Sequence, residues 1–384
     1  VGIIPDDWNV LPFEEFYSFI SYGFTNPMPT SESGIYMVTA KDINNGKIQF
    51  DTARFTTEEA YRALTAKSRP KKGDLLLTKD GALGRLALVD STVICINQSV
   101  AIIRLNNRAV PEFLKILLEA PVYQNHMLED AGGTTIKHIY ITIVNKMPLA
   151  VPPMLAEQEA IAEALSDADA LIEALEGLIA KKRLVKQGAM QELLTGKNRL
   201  AGFSEEWEEK ALGAIFEITA GGDFERAKSS DGQSEHFPYP IYSNALTNKG
   251  LYGFCSYSDH QADSITVTAR GTLGSANYRD HDFTAIGRVL VLNPLCRLDG
   301  RFISEYLNNR VEFVVESTGV PQLTAPQISN YEVLFPEYSE QTAIAEILSD
   351  MDAEIAVLEG KLSKARLVKQ GMMSELLTGR VRLV

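Results

Sequence analysis

The sequence predicts an α+β protein in which two globular heads are separated by two long helices that pair as an antiparallel coiled coil with pseudo-two-fold symmetry. Three observations predict this fold. One helical sequence occurs twice in the chain, the segments before its two copies share little sequence, and those segments mix short apolar runs with turns and short helices. Duplicated helices that carry unlike heads indicate a constant frame with variable attachments.

The repeated helix is the strongest signal in the chain. Residues 157–200 and 340–383 align without a gap at an offset of 183, and 30 of the 44 aligned pairs are identical. Gene duplication explains this level of identity, and chance does not. The repeat divides the chain into a first head, a central constant helix, a second head and a C-terminal constant helix. Their predicted bounds are 1–150, 151–198, 199–335 and 336–384.

Both copies have the apolar spacing of a coiled coil. Apolar residues recur at alternating intervals of four and three, as at the a and d positions of a heptad repeat, and such a seam requires a partner helix. Pro153 and Pro336 precede the helices, and Gly196 and Gly379 follow them as caps. The predicted seam residues are Ile161, Leu165, Ala168, Ile172, Leu175, Ile179, Ile344, Leu348, Met351, Ile355, Leu358 and Leu362. The alternative, that the helices are core pieces of two bundle domains, does not explain why the heads diverge while the helices stay the same.

Each head contains a strand that runs into a glycine turn. The first head has Gly81 and Gly84 after Asp74, and the second has Gly271 and Gly274 after Asp263, in the pattern G-x-L-G. Glycine allows a positive φ and the close approach of another backbone. A single G-x-L-G is weak and most often marks an ordinary β-turn. Its recurrence at matching places in both heads favours a functional interpretation.

Polar side chains near these turns and in neighbouring loops are candidates for DNA contact. Arg and Lys bond to guanine edges or phosphates, Asn and Gln bond to adenine, and Ser and Thr bond to either. The candidates in the first head are Thr78, Lys79, Arg85, Asn97, Gln98, Thr134, Thr135 and Lys137. Those in the second head are Ser243, Asn244, Arg270, Thr272, Ser275, Gln322 and Thr324. For any one of these residues, a solvated loop without a ligand is the alternative.

The charge of the chain argues against strong autonomous DNA binding. The net charge is −13, from 37 Lys and Arg against 50 Asp and Glu. The first head is nearly balanced, with 15 basic and 16 acidic residues, whereas residues 201–335 of the second have 10 against 18. Because neutralised phosphates supply most non-specific affinity, we expect basic patches on the first head and basic loops that stand out from an acidic body on the second.

The sequence shows no membrane span, signal peptide, metal site or common catalytic motif. No uninterrupted apolar run reaches the length of a membrane span, and the first residues lack the pattern of a signal peptide. The three cysteines are far apart, so neither a disulfide framework nor a zinc site is expected. We therefore expect a cytoplasmic protein with no membrane contact and no metal. Phosphate-loop, zinc-protease and serine-hydrolase motifs do not occur.

The whole chain resembles the DNA-specificity subunit of type I restriction–modification systems. The resemblance is carried by the helix starts, EQ-x-AIAE-x-LSD-x-DA after Pro153 and Pro336, by the helix ends, RLVKQG-x-M-x-ELLTG, and by the D…G-x-L-G turns. The order of variable and constant segments matches as well. The helix motifs are specific to this family, whereas the turn motif is not.

The resemblance implies a non-catalytic protein. Each head would be a target recognition domain for one half of a split, asymmetric site in double-stranded DNA, and the helices would set the spacer. They would also dock two methyltransferase (modification) subunits and, through the complex, restriction (translocase) subunits. No cofactor is expected on this chain, and S-adenosylmethionine and ATP are expected on the partner subunits. The acidity of the second head departs from this picture.

Two other functions remain open at this point. A methyltransferase would need a base-flipping motif, and the nearest string, Asn293-Pro294-Leu295-Cys296, lacks its second proline and its aromatic residue. A coiled-coil scaffold that binds only proteins would explain both the repeat and the negative charge. Exchange of a head tests this alternative, because it alters the recognised DNA sequence only if the heads bind DNA.

Overall fold

The computed structural model describes residues 4–129, 137–314 and 321–383. The chain forms two compact units, of which unit 1 comprises Val1–Glu176 and Lys361–Val384, and unit 2 comprises Gly177–Gly360. Each unit therefore contains one head together with the beginning of one long helix and the end of the other.

In unit 1 the head is a mixed α/β structure, and its last strand leads into the first long helix. Its strands are β1 (Asn9–Pro12), β2 (Tyr17–Tyr22), β3 (Ile35–Val38), β4 (Ile43–Asn44), β5 (Lys47–Ile48), β6 (Arg54–Thr56), β7 (Leu75–Thr78), β8 (Leu86–Leu88), β9 (Ile94–Ile96), β10 (Val100–Leu105) and β11 (Pro148–Val151). Its helices are α1 (Glu58–Ala63), α2 (Pro111–Glu119), α3 (Pro121–Glu129) and α4 (Ile141–Lys146), followed by the long helix α5 (Leu155–Leu193).

Among its described residues, the first head has two larger sheets and the two-stranded sheets β1-β11 and β4-β5. One of the larger sheets is antiparallel with the strand order β2-β10-β7-β8, and the other has the order β6-β3-β9, in which β3 and β9 are parallel. The central strands β7 and β10 are rich in Leu, Ile and Val and are buried over most of their length, as expected for strands covered on both faces. Helix α2 buries Phe113, Leu114 and Leu117 in the core of the unit.

The second head has its own set of elements. Its strands are β12 (Glu208–Ala211), β13 (Phe216–Ala220), β14 (Ser229–Ser230), β15 (Tyr239–Tyr242), β16 (Leu251–Cys255), β17 (Ser264–Val267), β18 (Ala276–Arg279), β19 (Thr284–Ala285), β20 (Leu290–Pro294) and β21 (Glu332–Phe335). Its helices are α6 (Leu212–Ile215), α7 (Gly300–Arg310) and α8 (Ala325–Ile328), followed by the long helix α9 (Tyr338–Leu376).

The two heads share one topology although they share little sequence. The sheet β13-β20-β17-β18 repeats the order of β2-β10-β7-β8, and the pair β12-β21 repeats β1-β11. The parallel pair β15 and β19 likewise corresponds to β3 and β9. The shared strand order indicates that the duplication includes the heads.

The long helices pair in antiparallel order within each unit. In unit 1, Lys369 contacts Asp169 at 2.5 Å and Arg366 contacts Glu176 at 2.6 Å. In unit 2 the corresponding contacts are Lys182–Glu354, Arg183–Glu359 and Lys186–Asp352, at 2.7, 2.6 and 2.6 Å. From Asp169 to Glu176 the partner's number falls from 369 to 366, and from Arg183 to Lys186 it falls from 359 to 352, which defines the antiparallel direction. Exposed ion pairs of this kind add little stability each, but they fix register.

The predicted seam lies inside this pairing. Seven of its twelve residues are buried (Ile161, Leu165, Ile179, Ile344, Leu348, Ile355 and Leu358), and the other five (Ala168, Ile172, Leu175, Met351 and Leu362) are half-buried. Gly196 and Gly379 have φ of 66° and 69°, the left-handed conformation predicted for the caps. The α+β fold with an antiparallel helix pair is thus confirmed.

The ends of the helices belong to the cores of the heads. In unit 1, Leu376 and Leu377 from the end of α9 pack in one cluster with Ile161 and Leu165 of α5 and with α2. In unit 2, Leu194 occupies the equivalent place beside Ile344 and Leu348. Among the helices that the structure describes, none is both long and apolar enough to span a membrane.

Candidate nucleic-acid interface

In unit 1, backbone hydrogen bonds join four segments at one margin of the first head. Gln98 N donates to Phe24 O at 2.9 Å, Lys79 N donates to Ser99 O at 2.9 Å, and Ile139 N donates to Lys79 O at 2.9 Å. The chain after β2, the turn after β9, the glycine turn after β7 and the segment before α4 are thereby held side by side. We define this group as edge 1, residues 22–26, 78–85, 97–99 and 137–139.

The second head has the same construction in unit 2. Gly287 N donates to Gly222 O at 3.2 Å, and Leu323 N donates to Ala269 O at 2.8 Å. Arg270 and Gln322 form an isolated β-bridge that corresponds to the bridge between Asp80 and His138 in edge 1. We define this group as edge 2, residues 220–223, 268–275, 286–288 and 321–324.

The glycine turns have equal geometry in both edges. Gly81 and Gly84 have φ of 79° and 76°, and Gly271 and Gly274 have φ of 79° and 85°. Thr78, predicted to contact DNA, is fully buried, and its hydroxyl accepts a hydrogen bond from Arg85 N at 2.9 Å and donates to Ala82 O. In this structure, Thr78 stabilises the glycine turn. The sequence interpretation omitted its counterpart Thr268, which accepts from Ser275 N at 2.9 Å.

Edge 1 contains a chain of linked polar side chains. Lys79 Nζ lies 2.8 Å from Asp80 and 5.4 Å from the centroid of the Tyr22 ring, and Asp80 in turn lies 2.5 Å from His138 Nδ1. Burial raises the pKa of Asp80, but the hydrogen bonds from His138 and Lys79 outweigh it and hold the pKa below its ordinary value. The ammonium of Lys79 is thus partly neutralised within the protein.

The remaining candidates of edge 1 differ in accessibility. Arg85 and Lys137 are exposed, and Arg85 Nη1 donates to Ile43 O at 3.1 Å. The amide oxygen of Asn97 accepts from Ser99 N at 3.1 Å and from Ser99 Oγ at 2.6 Å, whereas Gln98 is exposed. Gln98 is therefore better placed than Asn97 to meet a base. Thr134 and Thr135 lie outside the described residues.

Edge 2 surrounds a cleft of about 490 Å³. Three predicted residues, Arg270, Gln322 and Thr324, line it, and Thr272 lies exposed on the same turn. The Thr324 hydroxyl lies 2.8 Å from Gln327 Oε1 in a capping box at the start of α8, and Ser275 is half-buried. The cleft is lined by Ala220, Gly221, Gly222, Asp223, Arg270, Gly287, Arg288, Leu290, Gln322, Leu323, Thr324 and Ala325.

The side chains of Asn244 and Ser243 form hydrogen bonds that hold the loops of edge 2 in place. The amide group of Asn244 accepts from Ala269 N at 2.8 Å and donates to Gly287 O, so it ties the glycine turn to the turn after β19. Ser243 Oγ donates to Gly250 O at 3.3 Å. Both side chains are half-buried, and these bonds orient the loops.

Arg288 is a residue that sequence reasoning missed. It is exposed, lines the cleft and has a φ of 65°. A left-handed conformation costs a non-glycine residue roughly 1–2 kcal/mol. The signal that could have found it is positional, because Gly287-Arg288 occupies the place in edge 2 that Gln98-Ser99 occupies in edge 1.

The chemistry of both edges is that of hydrogen bonding and charge. Each presents guanidinium, ammonium, amide or hydroxyl groups from turns held by a rigid sheet, which suits contacts to phosphates and base edges. Within the part of the chain that the structure describes, no group of three or more His, Cys, Asp or Glu is arranged to hold a metal ion.

Comparisons with known proteins point to one family. The sequence model described as type I restriction modification DNA specificity domain matches residues 8–181 and 204–366. The specificity subunit of the type I restriction enzyme MjaVIII from Methanocaldococcus jannaschii is 22% identical over 419 residues, which cover 99% of this chain and 94% of that protein.

Solved structures of two proteins have a similar fold. The crystal structure of the S subunit of a type I restriction–modification system from M. genitalium matches with a TM-score of 0.66 at 18% identity, over 98% of this chain and 97% of that one. The HsdS subunit from Thermoanaerobacter tengcongensis matches with a TM-score of 0.51 at 17% identity, over 98% of each chain.

Proposed function

This chain belongs to the type I restriction–modification DNA specificity family, and we propose that it recognises a bipartite, asymmetric site in double-stranded DNA, one half-site with each head. Family membership confirms the resemblance drawn from the helix and turn motifs and makes the chain a specificity subunit without catalytic function.

One observation carries the bipartite proposal. Edges 1 and 2 have the same backbone framework, but they carry different side chains at equivalent positions, Asp80 and His138 in one and Arg270 and Gln322 in the other. Side chains that reach base edges determine which DNA sequence is recognised. A shared backbone determines only the position and orientation of the protein on the duplex. A common backbone framework with different side chains at equivalent positions suits the recognition of two different half-sites.

The helix pair is proposed to set the spacer between the half-sites. Each of α5 and α9 has 39 residues, and a helix of that length extends about 58 Å at 1.5 Å per residue. Adjacent major grooves on one face of B-DNA are about 34 Å apart. Rods of this length can hold two heads on successive turns of a duplex, and their ion pairs and seam give them a defined register.

We further propose that the helices dock two methyltransferase subunits. The repeated motif RLVKQG exposes the same apolar pair on each helix: Leu184 and Val185 are 68% and 51% exposed, and Leu367 and Val368 are 66% and 51% exposed. Apolar side chains conserved between duplicates yet left in solvent suit a partner surface. Because the pair occurs twice, it suits two copies of one partner. S-adenosylmethionine and ATP would then be bound by partner subunits, the ATP by restriction subunits.

Methylation sequencing tests the bipartite proposal. Cells that carry this chain with its methyltransferase partner should show one motif with two half-sites and a fixed gap. Replacement of residues 1–150 by the head of another family member should change one half-site and leave the other unchanged. If exchange of the head leaves the recognised sequence unaltered, the heads do not determine specificity, and a protein-only scaffold explains the chain better.

Copurification tests the docking proposal. Leu184→Glu combined with Leu367→Glu should abolish copurification of the methyltransferase subunit, and either change alone should leave one copy bound. Leu171→Glu is the matched control, because Leu171 is 55% exposed on α5 but its counterpart at 354 is Glu. Full assembly of the double variant would contradict docking through this motif.

A further inference from the structure

The cleft of edge 2 carries a set of side chains that complements a single base pair. Arg270, Arg288 and Asp223 line it together. In the major groove a guanine presents two acceptors, O6 and N7, and the paired cytosine presents the N4 amino donor. Arginine bonds to both guanine acceptors at once, and aspartate accepts from the cytosine amino group. The lining thus holds matching groups for both bases of a G·C pair.

Among the described residues, the two arginines of this cleft have no carboxylate partner. In residues 4–129, 137–314 and 321–383, no Asp or Glu lies within ion-pair distance of Arg270 or Arg288, whereas Arg301 is paired with Asp299 at 2.8 Å and Lys228 with Glu225 at 2.8 Å. Arg279 is buried against Thr266 and the Tyr242 ring. Residues 201–335 contain 18 acidic residues against 10 basic ones, so two guanidinium groups that lack a carboxylate partner among the described residues concentrate positive charge where a duplex could approach.

The backbone at Arg288 indicates that the side chain has a function. Val289 N donates to Ile286 O at 3.3 Å across a turn whose central residues, Gly287 and Arg288, have φ of 63° and 65°. Both central positions of such a turn favour glycine, asparagine or aspartate. The equivalent turn of edge 1 has its central residues at Gln98 and Ser99, neither of which has a positive φ. An arginine in a position that suits glycine is held there at the expense of stability.

The floor of the cleft leaves room for a base edge. Gly222 has no atom within 4 Å of the place where a Cβ would stand, so the backbone of edge 2 is open at this point. Gly221 beside it packs against the carbonyl of Ala285, which fixes the strand end. Close approach of a ligand to the main chain is one of the uses of glycine.

We propose that the second head recognises a G·C pair through this cleft, with the Arg288 guanidinium bonded to guanine O6 and N7 and the Asp223 carboxylate accepting from cytosine N4. Arg270 carries the second positive charge of the same cleft. The inference rests on the proposed function, since it assigns one base pair of the half-site that the second head reads.

Substitutions at Arg288 test the assignment in the assembled methyltransferase complex. The wild-type complex is used to define the motif by methylation sequencing, and duplexes with each base at every position of the second half-site then measure discrimination. Arg288→Ala should reduce discrimination for one G·C pair about 5- to 150-fold, without affecting the first half-site. Arg288→Gly should cause the same loss while raising the thermal midpoint, because the strained turn relaxes.

Two further variants separate a base contact from a phosphate contact. Arg288→Lys keeps the positive charge but loses the planar pair of donors, so discrimination should fall although the salt dependence of binding stays unchanged. Arg310→Ala removes an exposed arginine of α7 that does not line the cleft, and it should leave the motif intact.

The outcomes separate this inference from the proposed function. A wild-type complex without a bipartite motif would contradict both. A bipartite motif whose second half-site lacks a G·C pair, or one that Arg288→Ala and Arg288→Gly leave unchanged, would overturn the base assignment alone. Full discrimination by Arg288→Lys would show that the planar pair of guanidinium donors is not required, and this too would overturn the proposed contact.

Discussion

Arg382, which follows α9, forms a bidentate ion pair with Glu157 near the start of α5. Arg382 Nη2 lies 2.6 Å from Glu157 Oε2, Nε bonds to Oε1, and the Glu157 carboxylate is fully buried. Its hydrogen bonds to Glu157 and Asp7 raise the pKa of Arg382 above its ordinary value. The equivalent pair occurs in unit 2 at 2.6 and 2.7 Å, between Arg199, which is 183 positions before Arg382, and Glu340, which is 183 positions after Glu157.

Arg382→Ala should destabilise unit 1, because it leaves a buried carboxylate without its cation. We expect a clearly lower thermal midpoint than for Arg380→Ala, which removes only an exposed pair with Glu375. The double variant Arg382→Ala with Glu157→Gln should recover part of the loss, since the neutral amide is easier to bury. Equal midpoints for the two arginine variants would show that Glu157 does not depend on this contact.

Leu175→Asp should weaken the helix pair. Leu175 is half-buried on the seam, and a carboxylate there would lose part of its solvation. The expected cost is on the order of 1–3 kcal/mol in free energy of unfolding, together with weaker partner assembly. Denaturant unfolding measures the cost, and Leu171→Asp at an exposed position of the same helix is the control. Equal stability of the two variants would argue that the seam is not a packing surface.

A matched heptad insertion should lengthen the DNA spacer. Seven residues inserted after Glu176 and seven after Gly360 keep the seam in phase and extend each helix by about 10.5 Å, the length of about three base pairs at 3.4 Å each. Methylation sequencing should then report both half-sites unchanged and a gap longer by about three base pairs. A changed half-site with the original gap would contradict the ruler role. Insertion into α5 alone should instead disrupt the pairing.

Gly221→Ala should destabilise unit 2, and Gly222→Ala should not. A Cβ on Gly221 would stand 2.6 Å from Ala285 O, which belongs to the sheet and cannot move freely, whereas a Cβ on Gly222 would meet nothing within 4 Å. We expect a loss of about 1–3 kcal/mol for the first change and little effect for the second. Thermal unfolding of the two variants measures the difference, and similar midpoints would mean that the strand end adjusts easily.

The stability of unit 1 should fall in acid partly through Asp80. Because the folded-state pKa of this carboxyl is lowered, its contribution is complete above the unfolded pKa of about 4 and is lost as pH falls through the folded value. Asp80→Asn should therefore lower stability at neutral pH and flatten its dependence on pH below about 4. Urea unfolding at several pH values measures both slopes, and parallel curves for wild type and variant would exclude a role for Asp80.

Much of the fold was predictable because it follows from periodicity. The seam residues, the glycine caps and the strand before each glycine turn were all visible as apolar spacing and turn residues, and local sequence largely determines such features. The glycine turns were also found, since a positive φ at Gly81 or Gly271 needs only the local backbone.

The site was predictable only in part. Thr78 has the right chemistry for DNA contact, yet its hydroxyl is already hydrogen-bonded within the turn. The Asn244 side chain is likewise hydrogen-bonded between two loops. Arg288 was not predicted because a single arginine after a glycine does not form a recognisable sequence motif. Which polar groups are free depends on hydrogen bonds between segments far apart in the chain, which local sequence does not specify.

Two like helices with a coiled-coil seam follow from the order of amino acids alone, because a duplicated heptad pattern admits few other structures. The folded chain was needed to see that each head is completed by the end of the other repeat's helix, as with Leu376 and Leu377 in unit 1. The same is true of the unlike side chains that occupy equivalent positions in edges 1 and 2. Both are long-range relationships, fixed by how the chain packs after its local elements have formed.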